Sequence, residues 1–152
     1  MPRKLLRYRA PLLMFLFVAL PGLADTGPWV QPDTRQADAA LEYLADHQPA
    51  GDRFTFCAIA DTQTSKPTVP KEITRRAVGE MELLDTNFVI ASGDQIRGYT
   101  GDEALIHRMW DAHLELTNSL PMPWVPVPGN HDIWGWDSHE IYQDRIGPTA
   151  FS

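Results

Sequence analysis

Residues 124–132 read WVPVPGNHD, a short apolar run followed at once by a polar, turn-forming segment. Residues 87–95, NFVIASGDQ, and residues 53–63, RFTFCAIADTQ, repeat this arrangement. Short apolar runs rich in β-forming residues and bounded by Gly, Pro or Asp are typical of buried strands. We therefore predict three strands, at residues 53–60, 87–91 and 124–127.

Amphipathic segments lie before, between and after these strands. Their apolar residues recur at intervals of three and four, which is the spacing of one helix face. In the segment after the first strand, the residues expected on the buried face are Ile73, Ala77, Met81 and Leu84. Strands that alternate with helices indicate right-handed crossovers and a mostly parallel sheet. The predicted helices cover residues 34–47, 70–84, 102–120 and 138–146.

Each predicted strand leads directly into a loop that carries oxygen donors. Asp61 follows the first strand, Asp94 the second and Asn130 the third. Because the carboxyl ends of parallel strands share one edge, we expect these side chains to lie close together. Carboxylate and amide oxygens suit hard or borderline divalent ions. Two such ions about 3.5–4 Å apart can activate water and clamp a phosphoryl group.

Each of these loops has a simpler explanation when it is taken alone. An Asp after a strand often caps a helix or forms a turn, and Gly-Asp and Pro-Gly-Asn are common turn sequences. The metal-site interpretation depends on three such loops occurring in order, each at the end of a predicted strand. Gly93 and Gly129 add the backbone freedom that tight turns beside a ligand require.

These residues resemble the calcineurin-like metallophosphoesterase superfamily. Its pattern runs Asp-x-His, Gly-Asp-x-x-Asp/Asn, Gly-Asn-His-Asp/Glu and then two later His motifs, and the similarity covers about residues 53–152. It implies an α/β fold, here a partial metallophosphoesterase β-sandwich flanked by helices, with its first βαβαβ half and a mostly parallel sheet. It also implies a hydrolase of small-molecule phosphoesters with two divalent ions (Mn, Fe or Zn) and a metal-bound hydroxide as nucleophile.

The resemblance gives metal-binding roles to four residues. Asp61 corresponds to a ligand of the first metal, Asp94 to the carboxylate that bridges both metals, and Asn130 to a ligand of the second. Gln63 stands where most members have a metal-binding His. Some branches of the superfamily use Gln there, so Gln63 is counted as a ligand, and its oxygen favours a harder ion.

The resemblance also gives catalytic roles to two residues. His131 corresponds to an acid that assists the leaving oxygen, and Asp132 to a residue that orients His131. The two later His motifs of the family, which complete both metal sites, are not found within residues 1–152. An inactive fragment and a non-catalytic metal-binding remnant therefore stay open as alternatives, and the sequence does not choose the substrate.

The charge and the cysteine content limit the classes of function. The net charge is −7, and without residues 1–24, which hold four basic and no acidic residues, it becomes −11. So acidic a chain disfavours a nucleic-acid or anionic-membrane surface, which requires clustered Lys and Arg. Cys57, the single cysteine, lies in an apolar run, and we expect it to be a small buried hydrophobic residue.

The N-terminus has the composition of a secretory signal peptide. Basic residues precede an apolar core at residues 12–20, and Gly22 and Ala24 offer small side chains for cleavage. The core is shorter than the roughly 20 residues that span a bilayer. We therefore predict a secreted or periplasmic protein that is cleaved after Ala24. The predicted organisation is a signal peptide at 1–24, a lead-in with a short helix at 25–52 and a C-terminally truncated phosphoesterase domain at 53–152.

Several further histidine and aromatic residues stand near these motifs. Trp134 and Trp136 flank Gly135 just after the third loop, and we expect core or loop packing for them, with pocket lining as the alternative. Tyr99, after the Asp94 loop, has the same two interpretations. The other histidines are expected to be surface or partly packed residues, and they are His47, His107, His113 and His139.

Overall fold

The computed structural model describes residues 29–47, 54–63, 71–84 and 86–150. The predicted signal peptide and its cleavage site lie outside these residues. The described residues contain four helices and three strands in an alternating order. The elements are α1 (Gln36–Asp46), β1 (Phe56–Ile59), α2 (Glu72–Met81), β2 (Phe88–Ser92), α3 (Glu103–Thr117), β3 (Trp124–Val127) and α4 (Trp136–Arg145).

The three strands form one parallel sheet in the order β1-β2-β3. The register aligns Cys57 with Val89 and Val89 with Trp124, so these three side chains lie on the same face. Consecutive strands that pair in parallel require a crossover helix, and α2 and α3 supply the two crossovers. The α/β class, the parallel sheet and all seven predicted elements are confirmed.

One face of the sheet packs against α2 and the segment that follows α3. The apolar core on this face contains Ala77, Val78 and Met81 of α2 together with buried residues from all three strands. Cys57 belongs to it and is 1% exposed, which confirms the expected small buried residue. On the opposite face, Phe56 and Phe88 are half-buried and stack with ring centroids 5.4 Å apart.

The buried face of α2 differs from the predicted one. Ala77 and Met81 are buried as expected, but Ile73 and Leu84 are 46% and 38% exposed. Thr74 and Val78 are buried in their place, the latter within the core. Residues 74, 77, 78 and 81 have the spacing of one face, so the helix is turned by about one residue from the predicted orientation.

A second core cluster joins α3 to α4. Its buried residues include Ile106 and Trp110 of α3 and Tyr142 of α4. The amide of Ala37 at the start of α1 donates to the carbonyl of Ile146, with a nitrogen–oxygen distance of 2.8 Å. The helices that flank the sheet are therefore tied to one another. Among the described residues, no helix has the length and apolar character needed to cross a membrane.

His113 is buried, which corrects the expectation of a surface or partly packed residue. It lies on α3 with its ring edge-on to Trp110 and Trp124 at centroid distances of 5.6 and 5.7 Å. Its Nε2 atom has no hydrogen-bond partner among the described residues. Burial lowers the pKa of His113 to about 4, so the ring is neutral at neutral pH.

Candidate functional site

The loops that follow β1 and β2 are joined by backbone hydrogen bonds at the carboxyl edge of the sheet. The amide of Asp61 donates to the carbonyl of Gly93 at 3.2 Å, and the amide of Gln63 donates to the carbonyl of Asp94 at 3.0 Å. These bonds continue the ladder between the two strands past their ends. Asp61 and Asp94 are therefore held at fixed positions relative to each other.

Asp61 and Asp94 share an uncommon backbone conformation. Both have a φ of 56°, in the left-handed region. Asp enters this region more readily than most residues, although at a cost in conformational energy that glycine avoids. Non-glycine residues held in this way concentrate at functional sites. The same left-handed conformation thus occurs two residues after the end of each of the two strands.

Gly129 brings the third loop against the second. A Cβ atom on Gly129 would overlap the amide nitrogen and Oδ1 of Asp94, and a Cβ on Gly93 would lie 2.7 Å from the Cα of Gly129. A side chain at either position would push the two loops apart. Both glycines are therefore required by the close approach of the backbones.

The carboxylate of Asp94 is oriented by the third loop. Its Oδ1 accepts a hydrogen bond from the backbone amide of His131 at 3.1 Å. Its Oδ2 lies 3.9 Å from Nε2 of the His131 ring, and both side chains are about one-fifth exposed. Asp94 and His131, which the sequence places 37 residues apart, are thus neighbours on the same edge.

The amide of Gln63 is fixed by two carbonyl oxygens. When its oxygen and nitrogen are assigned from their surroundings, the nitrogen donates to the carbonyls of Asp94 at 2.7 Å and Asp61 at 3.1 Å. The amide nitrogen is then fully engaged by the backbone. The side-chain oxygen is left as the group that can serve a ligand.

Tyr99 contacts both of the residues that follow Gly129. The Asn130 side-chain amide donates to the Tyr99 hydroxyl oxygen. The Tyr99 ring stacks on the His131 ring, with centroids 3.9 Å apart and planes at 27°. The sequence left packing and pocket lining open for Tyr99, and these contacts show that its ring packs beside the candidate site. The amide of the preceding residue, Gly98, donates to the carbonyl of His131 at 3.1 Å. This hydrogen bond holds the backbone next to Tyr99 against the loop of His131.

Asp132 is fully buried and joins the second and third loops. Its Oδ1 accepts from the amides of Gln95 at 2.9 Å and Ile96 at 3.0 Å, and its Oδ2 accepts from the amide of Gly129 at 2.8 Å. Burial raises its pKa to about 6, with a further contribution from the charge of Asp94, while the three hydrogen bonds act in the opposite direction.

The contacts of Asp132 differ from those implied by the resemblance. They go to backbone amides, and Nδ1 of His131 has no hydrogen-bond partner among the described residues. Asp132 therefore fixes the backbone of the loops and makes no hydrogen bond to the His131 ring. The ring orientation comes from Tyr99 and from the loop backbone.

His107, His139, Trp134 and Trp136 make their contacts with residues other than Asp94. His139 contacts the Thr149 hydroxyl at 3.3 Å, and His107 contacts Arg145. Trp134 is 60% exposed and Trp136 is 81% exposed, so neither is a core residue. Loop packing, the other part of the expectation, is seen where Trp134 meets the Tyr99 ring. Both tryptophans come after β3, and each ring makes an edge-to-face contact, Trp134 with Tyr99 and Trp136 with His139.

The oxygen donors at this edge are of the types that bind divalent ions. Asp61 and Asp94 offer carboxylates, and Gln63 and Asn130 offer amide oxygens whose nitrogens already have partners. Oxygen sets of this type suit Mg²⁺, Mn²⁺ and similar ions. Among the described residues, no group of three or more His, Cys, Asp or Glu side chains is placed to hold a metal ion. These four residues would therefore supply two carboxylates and two amide oxygens to a ligand set.

A family model described as calcineurin-like phosphoesterase matches residues 54–150, which include β1, the three loops and α4. No curated protein and no solved structure matches the chain.

Proposed function

The chain belongs to the calcineurin-like phosphoesterase family, and from this premise we propose that it is a metal-dependent phosphoester hydrolase whose centre lies at the carboxyl edge of the sheet. The observation that carries the proposal is the junction of Asp94 with the loop of His131. A carboxylate from one loop meets a histidine ring from another there, and Asn130 directly precedes that histidine.

Four residues would hold the metal ions. Asp61 and Gln63 would serve one ion, Asn130 a second ion, and Asp94 both. Bound divalent ions supply positive charge that polarises the phosphoryl group and lowers the pKa of an attacking water. The described residues hold these oxygens in place before a ligand arrives, because the backbone strain and the hydrogen bonds are present in the fold itself.

His131 is the proposed proton donor to the leaving oxygen. Its ring is one-fifth exposed, so a substrate can reach it, and Tyr99 fixes its plane. A positioned acid of this type contributes about 10²- to 10⁴-fold to a rate. Asp132 holds the loop that presents His131 and does not itself contact the substrate.

The test is an assay of the full-length protein with Mn²⁺ and 4-nitrophenyl phosphate. We expect Asp94→Ala and His131→Ala to lower kcat/KM by about 100-fold or more. Asp144→Ala and His107→Ala are the matched controls, because both residues are exposed and lie outside the site. Activity in the two site variants equal to that of the controls would sink the proposal.

We also propose that the protein is exported. The support is the basic segment followed by the apolar core at residues 12–20. Mass spectrometry of the N-terminus of protein from the producing cell tests this. A mature chain that begins at Asp25 is expected, and a chain that retains Met1 to Ala24 in the soluble cell extract would contradict it.

A further inference from the structure

Two exposed aromatic residues border the candidate site, and we call Tyr99 and Trp134 the aromatic edge. Their exposed fractions are 45% and 60%. The rings meet edge to face, with centroids 5.4 Å apart and planes at 62°. Tyr99 comes from the loop after β2 and Trp134 from the loop after β3, so two separate loops build this surface.

The aromatic edge is continuous with the proposed catalytic residues. One side of the Tyr99 ring stacks on His131, and its hydroxyl group contacts Asn130. Trp134 extends the surface away from His131 and into solvent. Exposed apolar residues that are contiguous and border a cluster of polar groups are typical of ligand-binding surfaces, whereas isolated ones are not.

The position of His131 indicates which part of a substrate meets this surface. A group that receives a proton from His131 must lie next to that ring. The aromatic edge begins at the same ring, since Tyr99 stacks on it at 3.9 Å. The part of the substrate that departs with the proton is thus the part that reaches Tyr99 and Trp134. Flat aromatic rings stack on tryptophan and tyrosine with little dependence on other chemical detail.

We propose that Tyr99 and Trp134 bind the leaving group of the substrate and select phosphoesters whose leaving group carries a flat aromatic ring. This inference rests on the proposed function, because the direction of the leaving group follows from the role of His131. It gives Trp134 the role of a specificity-determining residue in direct contact with the substrate.

Two phosphonates that cannot be hydrolysed at the bridging position test the proposal by binding alone. Benzylphosphonate has the shape of phenyl phosphate with a methylene in place of the ester oxygen, and ethylphosphonate has the same relation to methyl phosphate. Calorimetry of the full-length protein with Mn²⁺ should give an affinity about 5- to 10-fold higher for benzylphosphonate. Trp134→Ala should abolish this preference and leave ethylphosphonate binding unchanged.

Trp136→Ala is the matched control. Trp136 is 81% exposed and lies beside His139, at a centroid distance of 6.2 Å, so it shares the exposure of Trp134 without its place at Tyr99. This variant should retain the full preference. Trp134→Phe should retain part of it, because an aromatic face remains there.

Equal affinities for the two phosphonates in the unmodified protein would overturn the proposal, as would a preference that persists in Trp134→Ala. Failure of the proposed function has a different signature. If the proposed function is wrong, Asp94→Ala should bind ethylphosphonate as tightly as the unmodified protein does. This result does not depend on how Trp134→Ala changes the preference for benzylphosphonate.

Discussion

Gly93 and Gly129 approach so closely that a side-chain carbon on Gly93 would lie 2.7 Å from the Cα of Gly129. This contact between two backbones sets the distance between the loop of Asp94 and the loop of His131. Gly129→Ala would introduce a methyl group against Asp94. We expect it to lower the free energy of unfolding by about 1–3 kcal/mol, the usual cost of overpacking a tight site.

Gly79→Ala is the control for this change. Gly79 lies within α2, and a Cβ there would meet nothing within 4 Å. Alanine should raise the free energy of unfolding by about 0.5–1 kcal/mol, because glycine is a poor helix former. Urea denaturation of both variants measures the two effects. Equal changes in the two variants would contradict the close contact.

Asp132→Ala tests the buried carboxylate. The change removes the acceptor of three backbone amides and leaves them without a partner in the interior. We expect a loss of about 2–4 kcal/mol in the free energy of unfolding. Asp132→Asn should lose less, because the amide oxygen can still accept from Gln95 and Ile96. Chemical denaturation compares the three proteins, and an alanine variant as stable as the parent would be inconsistent with these bonds.

Tyr99→Phe tests how Asn130 is oriented. The variant keeps the ring that stacks on His131 and removes the hydroxyl oxygen that accepts from the Asn130 amide. Because residues that hold a ligand in place typically contribute 10- to 100-fold to metal affinity, we expect Mn²⁺ to bind about tenfold more weakly. Calorimetry gives the dissociation constants. Tyr43→Phe on α1 is the matched control and should bind Mn²⁺ as the parent does.

His113 makes the stability depend on pH. In the folded protein it stays neutral down to about pH 4, whereas in the unfolded chain it takes up a proton below about pH 6.5. The unfolded state therefore binds more protons between these values, and stability falls as the pH falls through this window. The loss reaches about 3 kcal/mol at the lower end.

His113→Leu should remove this part of the pH dependence. Nε2 of His113 has no partner among the described residues, so leucine forfeits no hydrogen bond at that atom. Unfolding free energies of the variant and the parent, measured between pH 7 and pH 4, should diverge steadily in favour of the variant. Other groups titrate in both proteins, so the difference between them is the relevant quantity. A constant difference would contradict a depressed pKa.

The strands and helices were predictable because local patterns define them. The third strand, Trp124–Val127, has the predicted bounds, since Pro123 precedes it and Pro-Gly follows it. The orientation of α2 was not predictable to within one residue. The helical periodicity allows either Thr74 or Ile73 on the buried face. Which of the two is buried depends on how the helix packs against the sheet.

The candidate site was predictable in part. The positions of Asp61, Asp94 and Asn130 follow from the rule that parallel strands end at one edge. The contacts of Tyr99 with Asn130 and His131 were not predictable, because they are made across two loops and no short motif encodes them. The burial of His113 was missed for a similar reason, since it depends on Trp124 of a different element.

Asp132 has a consequence for local opening of the fold. The amides of Gln95, Ile96 and Gly129 share one carboxylate, although they belong to loops that follow different strands. If one loop moves away from the other, the hydrogen bonds to the Asp132 carboxylate break, and both loops lose their support. The two loops therefore form a single cooperative unit for hydrogen exchange. Solvent reaches all three amides in one event, and the edge that carries Asp94 and His131 is either intact or open as a whole.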